Sequence, residues 1–313
     1  MSLDGVLVVA KAVGPTSHDV VGLVRRLTAT KRVGHGGTLD PFASGVLPVF
    51  LGKATRLVEY HLGDRKRYRA TVCFGASSTT DDLEGALTPA DGPAPAEAEV
   101  RAALERFRGP IEQRPPAYSA IKVAGRRAYA MARAGQAVEL AARAVTIHAL
   151  DIVSWDDATP GEPVAVIDVE CSAGTYVRSL ARDLGEAVGS AAYLGALTRT
   201  ASGPFTLADS HDLDTIRAAA EDGPEAILAR LLPIDAGLDL PTVRIDAAAT
   251  VAVGRGQPIG VPPDVAAGAL DRGGPIRLVD EAGTLLAIAT LSGTRLQPDK
   301  VLFDATPAAP LGI

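Results

Sequence analysis

Aromatic residues are scarce in this 313-residue chain: 6 Phe, 6 Tyr and 1 Trp make up 4% of it. Aliphatic side chains must therefore build the core, and any aromatic beside polar residues invites a second reading. Cysteine is rarer still. Cys73 and Cys171 both lie in β-like apolar runs, which excludes a disulfide scaffold and reads as small core residues in a reducing compartment. The five histidines are scattered and no Cys/His group has metal-ligand spacing, so neither a metal nor a cofactor is implied. No basic-then-apolar leader opens the chain, and no apolar run approaches the ~18–20 residues of a membrane span. The expectation is a soluble, cytoplasmic protein.

The net charge of −6 argues against a polyanionic partner only until its distribution is read. Residues 1–70 carry 11 Lys/Arg against 5 Asp/Glu, and residues 101–145 carry 9 against 3. Residues 71–100 carry 6 acids and no base, and 146–313 carry 23 acids against 11 bases. Two basic blocks in an acidic protein suit either nucleic acid or a solvated surface.

The length allows one large domain and one small one. Leu7–Ala10 reads as a buried strand. Thr16 or Ser17 caps a helix carrying Val20, Val21, Val24 and Leu27. Residues 34–52 read as an ordered loop entering a buried strand, and Tyr68–Phe74 alternates as a strand with Tyr68, Ala70, Val72 and Phe74 on one face. The acidic stretch 77–99 reads as an exposed excursion, and Val100–Phe107 as a helix stopped at Gly109-Pro110. Residues 113–143 read as a basic insertion. Val164–Cys171 is a strand, and 172–175 turn the chain into a helix carrying Val177, Leu180, Leu184 and Val188. Beyond a linker near Asp235–Leu240, short strands (Val243–Ile245, Ile276–Val279, Leu285–Leu291, Val301–Phe303) make a small β-rich module. The expected domains are 1–238 and 239–313.

The densest polar cluster is Gly34-His35-Gly36-Gly37-Thr38-Leu39-Asp40-Pro41. Its glycines permit positive φ or close backbone approach, and Pro41 holds Asp40 extended. A carboxylate is thus presented on a constrained loop. The Lys-Ser/Thr of a phosphate loop and the spacing of a dinucleotide fingerprint are missing. An Asp-Pro is also a common structural turn, and the residues alone leave both readings open.

A resemblance bears on that choice. Gly34–Gly45 (GHGGTLDPFASG), continuing through Pro48, resembles the catalytic motif of the pseudouridine synthases. More narrowly it resembles the TruB family, the bacterial enzymes that modify uridine 55 in the TΨC arm of tRNA. Lys11–Val20 (KAVGPTSHDV) is similar to that family's first motif, with Ala12 where the family usually has Pro. Lys66–Ala70, Cys171–Gly185 (CSAGTYVRSLARDLG) and Leu197–Phe205 (LTRTASGPF) resemble its further motifs in the right order. Gln113–Gly135 resembles its tRNA-clamping insertion, and the tail looks like a PUA-type RNA-binding module.

The resemblance implies an α+β fold: a mixed, mostly antiparallel central sheet flanked by helices, plus the small C-terminal domain. It implies Asp40 as the essential carboxylate, Tyr68 as the surface on which uracil stacks, and Tyr176 in proton movement at C5. Arg178 is implied as a bidentate partner of Asp40, Leu197 as an apolar wall, and His35 as a contact to the flipped nucleotide. Lys66, Arg67, Arg126, Arg127 and Arg133 are the candidates for the tRNA backbone. The expected partner is the TΨC stem-loop of tRNA, without metal, cofactor or membrane, and the expected state is a monomer, because contacts to a tRNA need no second copy. A tRNA-folding module that needs no chemistry is the alternative, and a hydrolytic nucleosidase a third reading.

Overall fold

The computed structural model describes residues 3–119, 122–123, 126–127, 131, 140–263, 265, 270 and 273–303. It divides into two compact units, Met1–Ile234 and Asp235–Ile313. In the first unit the strands are β1 (Gly5–Lys11), β2 (Val33–His35), β3 (Ser44–Leu51), β4 (Lys66–Phe74), β5 (Ala76–Ser78) and β6 (Leu87–Pro89). They continue with β7 (Gly109–Gln113), β8 (Lys122–Val123), β9 (Arg126–Arg127), β10 (Arg143–Asp156), β11 (Val164–Cys171), β12 (Ala192–Ser202) and β13 (Phe205–Thr206). The helices are α1 (Ser17–Leu27), α2 (Val58–Leu62), α3 (Glu97–Leu104), α4 (Val177–Ala187), α5 (Leu213–Asp222) and α6 (Pro224–Leu228).

A nine-stranded sheet is the frame, in the order β1-β3-β12-β4-β11-β10-β7, with β2 on β3 and β13 on β12. Its pairs are antiparallel except β3 with β12, where Thr198 opposes Ser44 and Arg199 opposes Gly45. The fold is therefore α+β with a mixed, mostly antiparallel sheet, as the resemblance implies. In β4 the residues alternate inside and outside along their whole length, whereas β3 is buried at nearly every position because it lies deep in the sheet. Helix α1 starts at a capping box: Thr16 Oγ1 accepts from the Asp19 amide at 3.1 Å, and the Asp19 carboxylate accepts from the Thr16 amide at 2.9 Å. Val20, Val21 and Val24 face the core, and Arg25 and Arg26 sit in the last turn, where they complement the helix dipole.

Three expectations need correction. Gly34 and His35 belong to β2, not to a loop, and Gly34 pairs with Phe50. The acidic stretch is not simply an exposed excursion: β5 and β6 form a hairpin whose turn docks on β12, and Asp82 there is buried. The basic insertion begins and ends inside the sheet, with Gln113 buried on β7 and Arg143 paired to it from β10.

The second unit holds β14 (Thr242–Arg244), α7 (Ala247–Gly254), β15 (Ile259–Gly260), β16 (Pro275–Val279), β17 (Leu285–Ser292) and β18 (Arg295–Val301). Its five-stranded sheet runs β14-β16-β17-β18-β15 over a separate core of Val243, Leu278, Ala287 and Leu296. The last strand lies ahead of the expected Val301–Phe303. Among the described residues, no helix is long and apolar enough to cross a membrane.

Candidate active site

The loop from Gly36 to Ala43 is held by buried groups on three sides. Leu39, Phe42 and Ala43 point into the core. Ser17, the first residue of α1, donates its hydroxyl to Leu39 O at 2.9 Å and accepts from Leu39 N at 2.8 Å. Lys11, 1% exposed at the end of β1, donates its ammonium to Ala43 O at 2.7 Å, Ala12 O at 2.8 Å and Pro41 O at 3.3 Å. Burial is the main cause that lowers the Lys11 pKa to about 8, with the Asp40 charge acting the other way. On the far side Arg199 donates to Val46 O at 2.8 Å, Gly37 O at 3.1 Å and Thr38 O at 3.2 Å. Asp40 caps a turn in which Ala43 N donates to Asp40 O at 3.1 Å. Its neighbours are locked while its own carboxylate remains 38% exposed.

Gly45 follows from this geometry. It has φ +107°, and a Cβ there would lie 2.2 Å from Arg199 O and 2.7 Å from Arg199 N. Only glycine lets β3 and β12 come this close at the root of the loop.

Opposite the carboxylate stands Arg178 in the first turn of α4, with Nη2 2.9 Å from Asp40 Oδ2. The guanidinium is buried and is shared, not bidentate to Asp40. Its Nη1 donates to Asp82 Oδ2 and Thr80 O, both at 3.2 Å, and its Nη2 also donates to Tyr118 O at 3.0 Å. Asp82 is itself fixed, accepting from Thr80 Oγ1 at 2.5 Å and from the Glu84 amide at 3.1 Å. One buried cation between two carboxylates thus aims the exposed one, and the buried one sets the cation's orientation. Sequence reasoning missed Asp82. The only signal was the run Ser77-Ser78-Thr79-Thr80-Asp81-Asp82, whose short polar side chains favour tight turns.

Tyr68 lies on the inner face of β4, buried, as the register partner of Arg199 on β12. Tyr176 precedes α4, its backbone clamped by Gln113, which accepts from Tyr176 N at 2.8 Å and donates to Tyr176 O at 3.0 Å. Burial raises both phenol pKa values, and the Asp40 charge raises them further, so both rings lie within its field. Leu197 is buried on β12 opposite Ala70. His35 ends β2, and its Nδ1 accepts from the Gly37 amide at 3.3 Å. Burial, then the Arg199 and His18 charges, lower its pKa, which keeps the ring neutral near pH 7.

The basic candidates fare differently. Lys66 is not offered to a phosphate: it is 6% exposed and donates to Asp64 O at 2.8 Å and His61 O at 3.4 Å. Burial brings its pKa to about 8. Arg67 is exposed and pairs with Glu170 at 3.3 Å. Arg126 and Arg127 form β9, paired with β8, and Arg133 lies outside the described residues. Among the described residues, no group of three or more His, Cys, Asp or Glu could hold a metal ion.

The architecture is shared with solved structures. The chain superposes on a Cbf5-Nop10-Gar1 complex at TM-score 0.75 and 27% identity, covering 97% of this chain and 86% of that one. An H/ACA RNP bound to a substrate RNA containing 2′-deoxyuridine gives TM-score 0.74 at 26% identity, again over 97% and 86%. Family comparison is narrower. The TruB family pseudouridylate synthase N-terminal domain matches residues 25–177, and the tRNA pseudouridylate synthase B C-terminal domain matches 178–239. The protein is 41% identical to a tRNA pseudouridine synthase B of Bradyrhizobium diazoefficiens over 96% of this chain and 86% of the relative. It is 43% identical to that of Burkholderia mallei over 96% and 97%, and 48% identical to that of Symbiobacterium thermophilum over 80% and 81%. The chain belongs to the TruB family of pseudouridylate synthases, and is an isomerase.

Proposed function

We propose that this enzyme converts uridine 55 in the TΨC loop of tRNA to pseudouridine, with Asp40 as the essential carboxylate. The relatives' shared name supports tRNA as the substrate. The observation that carries the chemistry is the Asp40–Arg178 pair at 2.9 Å, presented on a loop locked from below. The target uridine leaves its stack, at a cost of a few kcal/mol, and enters between Tyr68 and Asp40. Asp40 acts at the sugar: it either attacks C1′, forming an ester bond that breaks when C5 bonds to C1′, or takes the C2′ proton on a route through a glycal and returns it as C5 bonds to C1′. The C1′–N1 bond breaks with its electron pair on the base, and the uracil turns against Tyr68. C5 then bonds to C1′, the C5 hydrogen leaves as a proton, and N1 gains one. Nothing is oxidised or reduced. Tyr176, whose phenol burial keeps protonated, moves the C5 proton as a relay, its oxygen accepting that proton while its own O–H proton passes on. Leu197 walls the base, and His35 packs neutral against the vacated stack.

Arg126 and Arg127 of β9, together with Arg133, which lies outside the described residues, are assigned to the phosphates of the arm, and Arg67 to its flank. The unit 235–313 serves as a PUA-like RNA-binding domain. The protein acts as a monomer in the cytoplasm. Incubating it with an unmodified tRNA transcript and mapping pseudouridine by position tests this reading. A single mark at uridine 55 is expected. A mark elsewhere breaks the site assignment, and free uracil in solution breaks the reaction class.

A further inference from the structure

Arg199 is one of the largest fully buried side chains of the protein. Its guanidinium is spent on main-chain carbonyls, although burying such a charge is costly and an apolar residue could fill the same volume. Arginine adds a planar, rigid fork whose donors point in fixed directions. Two of those donors grip Gly37 O and Thr38 O, just before Asp40, and a third grips Val46 O, after it. The fork therefore straddles the carboxylate in sequence. The same side chain faces Tyr68: Arg199 and Tyr68 are register partners between β12 and β4, and the guanidinium charge acts on the Tyr68 phenol.

Two further features fix the fork itself. The Arg199 backbone abuts Gly45 so closely that a Cβ there would sit 2.2 Å from Arg199 O. A register shift follows immediately, between Arg199 and Ala201, and such bulges re-aim side chains beside active sites. Arg199 thus holds the Asp40 loop and the root of β3 from one anchored point, directly across the β12–β4 ladder from Tyr68.

We infer that Arg199 is a positioning residue for the isomerisation, holding the Asp40 loop and the Tyr68 ring in one fixed relation. The inference rests on the reading that the base turns between those two groups. Sugar and base are then acted on by different elements, β4 and the loop, whose spacing one side chain sets. A displacement of about 1 Å is enough to cost a reaction on the order of 10²-fold.

The test uses the full-length protein and unmodified tRNA transcript. Single-turnover rate, tRNA Kd and Tm are measured for wild type, Arg199→Lys, Arg199→Gln, Tyr68→Phe and the Arg199→Lys/Tyr68→Phe double variant. Arg199→Lys is expected to bind tRNA as wild type does and to react roughly 10²-fold more slowly. The double variant is expected to be less impaired than the product of its single effects, because both cut the same link. A folded Arg199→Lys with the wild-type rate and a lowered Tm makes the residue merely structural and overturns the inference, as do multiplicative effects. If the Arg199 variants do not fold, hydrogen exchange at Thr38 and Leu39 in Tyr68→Phe decides. Faster exchange supports the link, and unchanged exchange removes it. A wild type that makes no pseudouridine defeats the functional reading instead.

Discussion

Replacing Asp82 by Asn tests whether the buried carboxylate, absent from any motif that drew attention, orders the site. The side chains of Asp82 and Arg178 are 4% and 7% exposed, so water cannot replace a lost partner. In Asp82→Asn the Oδ1 contacts from Thr80 and Glu84 survive, but an amide NH₂ faces Arg178 Nη1, donor against donor. Removing one member of a buried ion pair typically costs about 3–5 kcal/mol. Here Arg178 keeps Asp40, Thr80 O and Tyr118 O, which places the loss near ~3 kcal/mol. For a domain of this size that corresponds to a fall in Tm of roughly 6–12 °C. The released guanidinium also swings toward Asp40 and misaims it, and the rate should drop on the order of 10²-fold with tRNA binding retained. Because joining C1′ to C5 expels the C5 hydrogen, tritium release from 5-tritiated uridine in tRNA reads the rate directly. A variant with unchanged Tm and unchanged tritium release would refute the argument that Asp82 sets Arg178.

Gly45→Ala meets backbone, not a flexible side chain, at φ +107°, and calorimetry should show a loss of at least about 3 kcal/mol; normal stability would mean β3 and β12 are not so closely opposed. His35 carries a pH signature. Its folded pKa lies below the ordinary 6.5, so the unfolded chain takes up the proton first as pH falls. Stability present above 6.5 is therefore lost below it. Between about pH 7.5 and 5.5 the Tm of His35→Asn should fall less than that of wild type; equal falls would show that His35 is not buried neutral.

Legibility followed periodicity. Helices α1 and α4 and strands β4 and β11 could be read because their apolar residues repeat cleanly. Strand β12 hid because the shifts at Leu194/Ala196 and Arg199/Ala201 break its alternation. β10 carries two such shifts as well. In β18, Pro298 argues against a strand, yet it sits at a register shift where no ladder bond is needed. Lys66 was misjudged by composition. The alternation that buries Tyr68, Ala70, Val72 and Phe74 extends back to position 66 and puts the lysine on the same inner face. Asp40 and Arg178, 138 positions apart, were paired through the resemblance; no local pattern brings them together. Asp82 and Arg199 act through contacts across 96 to 162 positions, which no window along the chain contains.

The central claim is that one carboxylate, Asp40, performs the chemistry at the sugar, while the rest of the site holds the base and moves its C5 proton. Side-by-side pseudouridine mapping of tRNA treated with wild type and with Asp40→Asn, at enzyme in excess over tRNA and with Kd measured in parallel, tests it most directly. The account expects full conversion of uridine 55 by wild type, none by Asp40→Asn, and comparable affinities. Pseudouridine formed by Asp40→Asn at the wild-type rate would contradict it.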